Sequence, residues 1–174
     1  HVTSIEASAY MTMTRALVRY RVHGIRRNED GEIVTPNRIL AKASRVEVAT
    51  KFFSPPPANI IAALVEDGTL TPEQAELCTH IPIASDVTAE ADSGGHTDNR
   101  PLVTLLPSFL SLRRQLQDKF KYDTPLRIGA AGGISTPGST AAAFAMGAGW
   151  VLLGSIAQAS VESVSSTTVR EMLS

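Results

Sequence analysis

Cysteine is nearly missing from this chain. Cys78 stands alone among 174 residues, so no internal disulfide can form and no zinc site built on paired cysteines is open to it. A reducing, cytoplasmic setting is the expectation that follows. An excess of one charge is missing as well. The 16 basic and 17 acidic residues leave a formal net charge of −1, which gives no electrostatic footprint for a nucleic-acid binder or for a protein held on an anionic membrane. No apolar run is long enough to span a bilayer. The chain holds no GxGxxG, no P-loop and no GxSxG, so nucleotide-hydrolase and serine-hydrolase readings lack support. His1 leads into HVTSIEASAY without the pattern of a signal peptide. It is not an initiator Met, and the chain is expected to be a piece of a longer one.

What is present is an ordinary core-forming composition. Hydrophobic residues make up 43% and charged residues 19%, the balance of a folded domain rather than of a disordered segment. No repeat or linker divides residues 1–174, so a single domain is expected. Five segments read as strands: 2–9, 38–43, 83–90, 126–130 and 150–153. Helical periodicity fills the intervals at 15–23, 45–53, 58–66, from Pro72, and over 102–120, where Leu105, Leu106, Phe109, Leu112 and Leu116 share one side. Thr12 or Thr14 is a cap for the first helix and Ser44 for the second. Thr71, Pro72 and Gln74 form a capping box, and Pro107 is placed at the true start of the helix over 102–120. Residues 26–32, RRNEDGE, read as a solvated turn, and the tail from Ser160 has moderate helical character.

Strands alternating with helices argue for parallel βαβ units, in an open sheet or in a barrel. A complete eight-stranded β/α barrel needs roughly 250 residues. If this is one, the chain supplies its C-terminal portion of about five βα units, and the earlier strands lie elsewhere.

The chain is organised around RIGAAGG-ISTPGSTAAAFAMGAGWVLLGS, from Arg127 to Ser155. A strand runs into Gly132-Gly133. Thr136 and Pro137 then open a small-residue helix that ends at Gly147. The next strand runs into Gly154-Ser155. Two adjacent strands thus end in bare turns, one of them at a helix N-terminus, and orphan amides of that kind bind anions. No Asp or Glu lies between Pro125 and Val161 to repel one. Glycines used only for tight packing are the alternative.

Three further features carry chemistry. The loop of residues 90–98 presents Gly94 and Gly95, which let a planar ligand approach, and His96, which titrates near neutrality. Asp92 and Asp98 flank it and could tune it, although a surface histidine in a polar turn fits the same pattern. Lys42, in the apolar run ILAKA, is costly to bury unless something negative receives it. An anionic ligand would serve, as would simple escape of the side chain to solvent. Glu6 and Glu90 fall near strand ends, where barrel active sites are built, and are equally suited to be ion-pair partners.

Read together, EADSGGHTD (90–98), RIGAAGGI (127–134), AFAMGA (143–148) and GSIAQA (154–159) resemble the nitronate monooxygenase-type FMN barrels. RILAKASR (38–45), FSPPP (53–57) and DNRP (98–101) favour one branch of them. These are the enoyl reductases of bacterial polyketide synthases with separate acyltransferases and of polyunsaturated fatty acid synthases. The resemblance implies a (β/α)8 barrel and an oxidoreductase that reduces α,β-unsaturated acyl thioesters on an acyl carrier protein, with bound FMN and NADPH as reductant. It implies that Ala131, Gly132, Gly133, Gly154 and Ser155 hold the FMN phosphate. Lys42 would lie near the pyrimidine end of the flavin, with Ser93, Gly94 and Gly95 beside it. His96 would be the acid/base. No metal is implied. The implied partners are the carrier protein and other synthase domains, with an oligomer left open. A nitronate monooxygenase and a non-catalytic barrel segment of a megasynthase are the competing readings.

Overall fold

The computed structural model describes residues 2–7, 13–93 and 97–173. Its centre is a five-stranded sheet in the order β1-β4-β5-β6-β7, parallel throughout. The strands are β1 (Ser4–Ala7), β4 (Arg38–Ala43), β5 (Asp86–Glu90), β6 (Arg127–Ala131) and β7 (Val151–Leu152). A separate antiparallel ribbon joins β2 (Arg26–Arg27) to β3 (Ile33–Val34), so the RRNEDGE turn is the tip of a small hairpin. The helices are α1 (Arg15–Val22), α2 (Val46–Phe53), α3 (Ala58–Glu66), α4 (Pro72–Leu77), α5 (Leu102–Phe120), α6 (Pro137–Ala145), α7 (Ser155–Ala159) and α8 (Thr167–Leu173).

Strand register sorts the side chains into two unlike faces. Residues that pair across a parallel ladder share a face, and alternation sends their neighbours to the other. Ala7, Ala41, Val87 and Ile128 form one row, and Ala43, Ala89 and Ala130 the next. All seven are buried. Small side chains here let α2 and α5 settle closely on the sheet, with Phe52, Phe53, Leu105, Leu106 and Phe109 filling the space between. Each such fully buried Leu or Phe contributes about 1.5–3 kcal/mol relative to exposure. The opposite face reads Glu6, Leu40, Asp86, Arg127 in one row and Lys42, Thr88, Gly129 in the next. At the C-terminal strand ends it carries Glu90, Ala131 and Leu152. Polar groups crowd this second face, and the candidate site is built on it.

Several local expectations hold. Thr14 accepts from the Leu17 amide to cap α1, and Thr71 and Gln74 make the reciprocal bonds of a capping box at α4. Others do not. Ser44 does not cap α2: Arg45 occupies that position without a side-chain bond, and the Ser44 hydroxyl donates instead to the Glu90 carbonyl at 2.8 Å. Pro107 does not start α5, which begins five residues earlier at Leu102 behind Pro101. The N–H that Pro107 lacks would have bonded the carbonyl of Val103, and Val103 is exposed, so water can serve that carbonyl. Beyond β7 the bare turn expected at Gly154-Ser155 continues into the single turn of α7.

Arg21 ties the fold together at the end of the sheet remote from the site. From α1, its Nε donates to the carbonyls of Pro82 (3.1 Å) and Ile83 (3.0 Å), and its Nη1 to the Asn37 carbonyl (2.9 Å) and the Thr35 hydroxyl. Burial lowers its pKa to about 10. These charge-assisted bonds fix the segments that lead into β4 and β5.

Candidate functional site

At the C-terminal ends of the strands, the polar face opens into a cleft of about 470 Å³. The sequence scatters its walls: Glu6 comes from β1, Lys42 from β4, Glu90 and Ser93 from β5 and its loop, Ala131 to Ser135 from the turn after β6, and Leu152 to Ile156 from the turn after β7. Lys42, Ser93, Ala131, Gly132, Gly133, Gly154 and Ser155, expected from the sequence to meet one ligand, are brought together here. Gly94, Gly95 and His96 lie outside the described residues. Ile134, Ser135, Leu152, Leu153 and Ile156 also line the cleft and were not foreseen. Their only signal was position, in the two residues on either side of each glycine turn.

The glycines divide into two kinds. Gly132 has φ +95°, and a Cβ there would meet the Ala91 carbonyl oxygen at 2.6 Å. It is glycine because the β5 loop lies against it. A Cβ on Gly133 would have the Asp92 carbonyl as its nearest neighbour at 3.9 Å, and one on Gly154 would meet nothing within 4 Å. At both positions the space beside the backbone stands open to the cleft, and Gly133, at φ +67°, is glycine for its backbone conformation as well.

The N-terminus of α6 is less available than the sequence suggests. Thr136 and Ser139 form a capping box. The Ser139 hydroxyl accepts from the amides of Ser135 (3.2 Å) and Thr136 (3.1 Å), and Thr136 Oγ1 accepts from the Ser139 amide at 3.1 Å. Ser139, two residues after the proline, thus consumes amides counted on for an anion. The dipole of α6 remains, with no acidic residue in its first turn.

Lys42 has partners within the protein. Its Nζ lies 3.0 Å from Glu6 Oε1 and 3.5 Å from Glu90 Oε1, reaching one carboxylate on each flanking strand. Burial pulls the ammonium pKa down, but the hydrogen bond to Glu6 and the charges of Glu90 and Glu6 outweigh it, and the net shift is upward. The negative charge that makes this lysine tolerable in an apolar strand is therefore supplied by Glu6 and Glu90. They settle as ion-pair partners that also line the cleft.

The loop after β5 is stapled at its feet. Ala91 N–H donates to the Ala131 carbonyl at 2.8 Å, and Asp92 N–H to the Arg100 carbonyl at 3.0 Å. Asp98 is held by Arg45 through two bonds, Nε to Oδ2 at 2.5 Å and Nη2 to Oδ1 at 2.9 Å. That guanidinium keeps the Asp98 carboxyl below its ordinary pKa. Asp98 is thus committed to Arg45, a partner that its sequence neighbourhood did not suggest.

Among the described residues, no cluster of three or more His, Cys, Asp or Glu could hold a metal ion, and no helix is long and apolar enough to cross a membrane.

Comparison with known proteins bears out the resemblance. The chain is 45% identical over 172 residues to the polyketide biosynthesis protein PksE of Bacillus subtilis, covering 99% of this chain and 22% of that one. It is 45% identical over 175 residues to a component chain of the polyunsaturated fatty acid synthase of Thraustochytrium sp., covering 99% and 12%. Among solved structures, the enoyl reductase domain of MlnA, from the macrolactin biosynthesis cluster of Bacillus amyloliquefaciens, is 44% identical. It superposes with a TM-score of 0.91 over 98% of this chain and 38% of that chain. A FabK variant from Thermotoga maritima, 21% identical with a TM-score of 0.51 over 97% of this chain and 48% of that one, shares the fold. No protein-family model matches. The chain spans less than a quarter of the length of the curated relatives it matches.

Proposed function

We propose, from the chain's resemblance to the enoyl reductases of polyketide synthases with separate acyltransferases and of polyunsaturated fatty acid synthases, that it is the C-terminal portion of a closed (β/α)8 barrel with that activity. The reaction is reduction of an α,β-unsaturated acyl thioester, presented on an acyl carrier protein by neighbouring synthase domains in the cytoplasm. FMN is the bound cofactor and NADPH the reductant. The observation that carries this reading is the convergence on one cleft of Lys42 from β4, Gly133 from the turn after β6 and Gly154 from the turn after β7, with open space where a Cβ on either glycine would stand.

The residues present fit an FMN. The turns after β6 and β7 offer close backbone approach to a phosphate, and no carboxylate lies in either turn. Leu152, Leu153, Ile134 and Ile156 offer apolar surface to the body of the ligand, and Lys42 offers an N–H at the far end of the cleft. When bound, FMN supplies hydride transfer to the β-carbon of the enoyl group. The chain's own contribution is anchoring at Gly133, Gly154 and Ser155, orientation at Lys42, and, from the sequence expectation, delivery of a proton to the α-carbon by His96.

The test is made on the full-length protein that carries this chain. It should purify yellow or take up added FMN, bleach anaerobically with NADPH, and regain colour on addition of an enoyl thioester. His96→Ala should slow that last step and leave FMN binding intact. A complete protein that stays colourless with added FMN overturns the reading. Oxygen consumption with an alkyl nitronate as the electron donor, without reduction of an enoyl thioester by NADPH, assigns the cleft to nitronate oxidation instead.

A further inference from the structure

The ion-pair cluster at the end of the cleft is more elaborate than one lysine needs. Lys42 sits on β4, between β1 and β5, and a carboxylate reaches it from each side. Its side chain is 24% exposed, against 52% for Glu6 and 15% for Glu90. A lysine ammonium has three donors on a flexible stem. Free of partners, this one would extend into solvent along that stem. With one N–H toward Glu6 and one toward Glu90, a single donor remains for the cleft. Two carboxylates and one ammonium also leave this end with a surplus negative charge, so the remaining N–H suits an uncharged acceptor such as a ring carbonyl rather than a phosphate.

We propose that Glu6 and Glu90 are positioning residues, which hold the Lys42 ammonium so that its one remaining N–H meets an acceptor atom on the ligand of the cleft. This rests on the FMN reading above. Neither glutamate is required to touch the ligand, and both act through Lys42.

The experiment is a double-mutant cycle on the full-length protein, read as the dissociation constant of FMN from the quenching of its fluorescence and as the position of its visible absorption bands. Lys42→Met should weaken FMN binding about tenfold. Glu90→Ala should weaken it several-fold and shift the bands in the same direction. In the Lys42→Met background, Glu90→Ala should have no further effect on either readout. Glu90→Gln, whose carbonyl can still accept from the ammonium, should recover part of the loss, and it serves as the probe if Glu90→Ala does not fold. Additive effects of Lys42→Met and Glu90→Ala, or a Glu90→Ala protein with unchanged affinity and spectrum, overturn the positioning role while the FMN reading stands. A wild-type protein that binds no FMN overturns both.

Discussion

The indole N–H of Trp150 donates to Thr88 Oγ1 at 3.1 Å, although β6 lies between β5, which carries Thr88, and β7, which Trp150 immediately precedes. The bond is possible because Gly129, the β6 partner of Thr88, leaves the strand bare beneath the ring. A Cβ on Gly129 would lie 2.1 Å from the indole. Gly129→Ala should therefore push the ring off Thr88 and cost about 1–3 kcal/mol of stability, the usual price of overpacking. The full-length protein should show a lower melting temperature and a changed tryptophan emission for this variant. An unchanged melt would mean that the ring repacks freely.

The pair next to this ring predicts an asymmetry. Arg127 Nε donates to Asp86 Oδ1 at 2.6 Å across β5 and β6, and the guanidinium also lies over the Trp150 ring, 5.7 Å from its centroid. The arginine side chain is 59% exposed and the aspartate 13%. Removing the aspartate's charge leaves an arginine that water can solvate, so Asp86→Asn should cost less than about 1 kcal/mol. Removing the arginine strands a carboxylate with little water, and Arg127→Met should cost about 1–3 kcal/mol. Urea denaturation of the two variants decides the matter, and equal losses would contradict the argument.

How far the sequence reached can be judged from such residues. The β4 limits, the cap at Thr71, the choice of Thr12 or Thr14 as the first cap, and the glycine turns and Lys42 of the cleft were legible because each depends on a local pattern, whereas Ser93 and Ala131 came from the family resemblance. The failures share a different cause. Ser44 has the right chemistry for a local role, but a tertiary partner claims it, the Glu90 carbonyl. Lys42 was seen as needing a negative charge, yet its carboxylates lie 36 and 48 positions away in the chain and become neighbours only through parallel pairing. Gly132 and Gly154 look alike in sequence, and the approach of the Ala91 backbone and the backbone angle, +95° against −110°, separate them.

Stability should decline in alkali through Cys78. The thiol is buried against the core, and burial raises its pKa from 9.0 to about 11, with the Arg21 charge opposing. Between those values the unfolded chain gives up the thiol proton and the folded chain keeps it. The folded state thus binds more protons there, and stability must fall as pH rises. The contribution is fully present below pH 9 and is lost as pH climbs through about 11. The urea midpoint of the wild type should drop between pH 8 and pH 10 by more than that of Cys78→Ala. Parallel curves for the two would place the thiol's titration elsewhere.

The two cleft glycines should separate folding from binding. A methyl group at Gly132 collides with the Ala91 carbonyl and also demands a backbone angle of +95° from an L-residue, so Gly132→Ala should destabilise the protein whether or not a ligand is present. A methyl group at Gly154 meets nothing within 4 Å, and φ there is −110°, outside the left-handed region. Gly154→Ala should melt at the wild-type temperature. Its methyl group would nonetheless stand where a phosphate approaches the amides at the start of α7. FMN affinity should then fall about tenfold or more, while riboflavin, which lacks the phosphate, should bind as it does to the wild type. Measuring both ligands on one preparation distinguishes a blocked phosphate from a damaged cleft. An equal loss for FMN and riboflavin would remove the phosphate from the turn after β7.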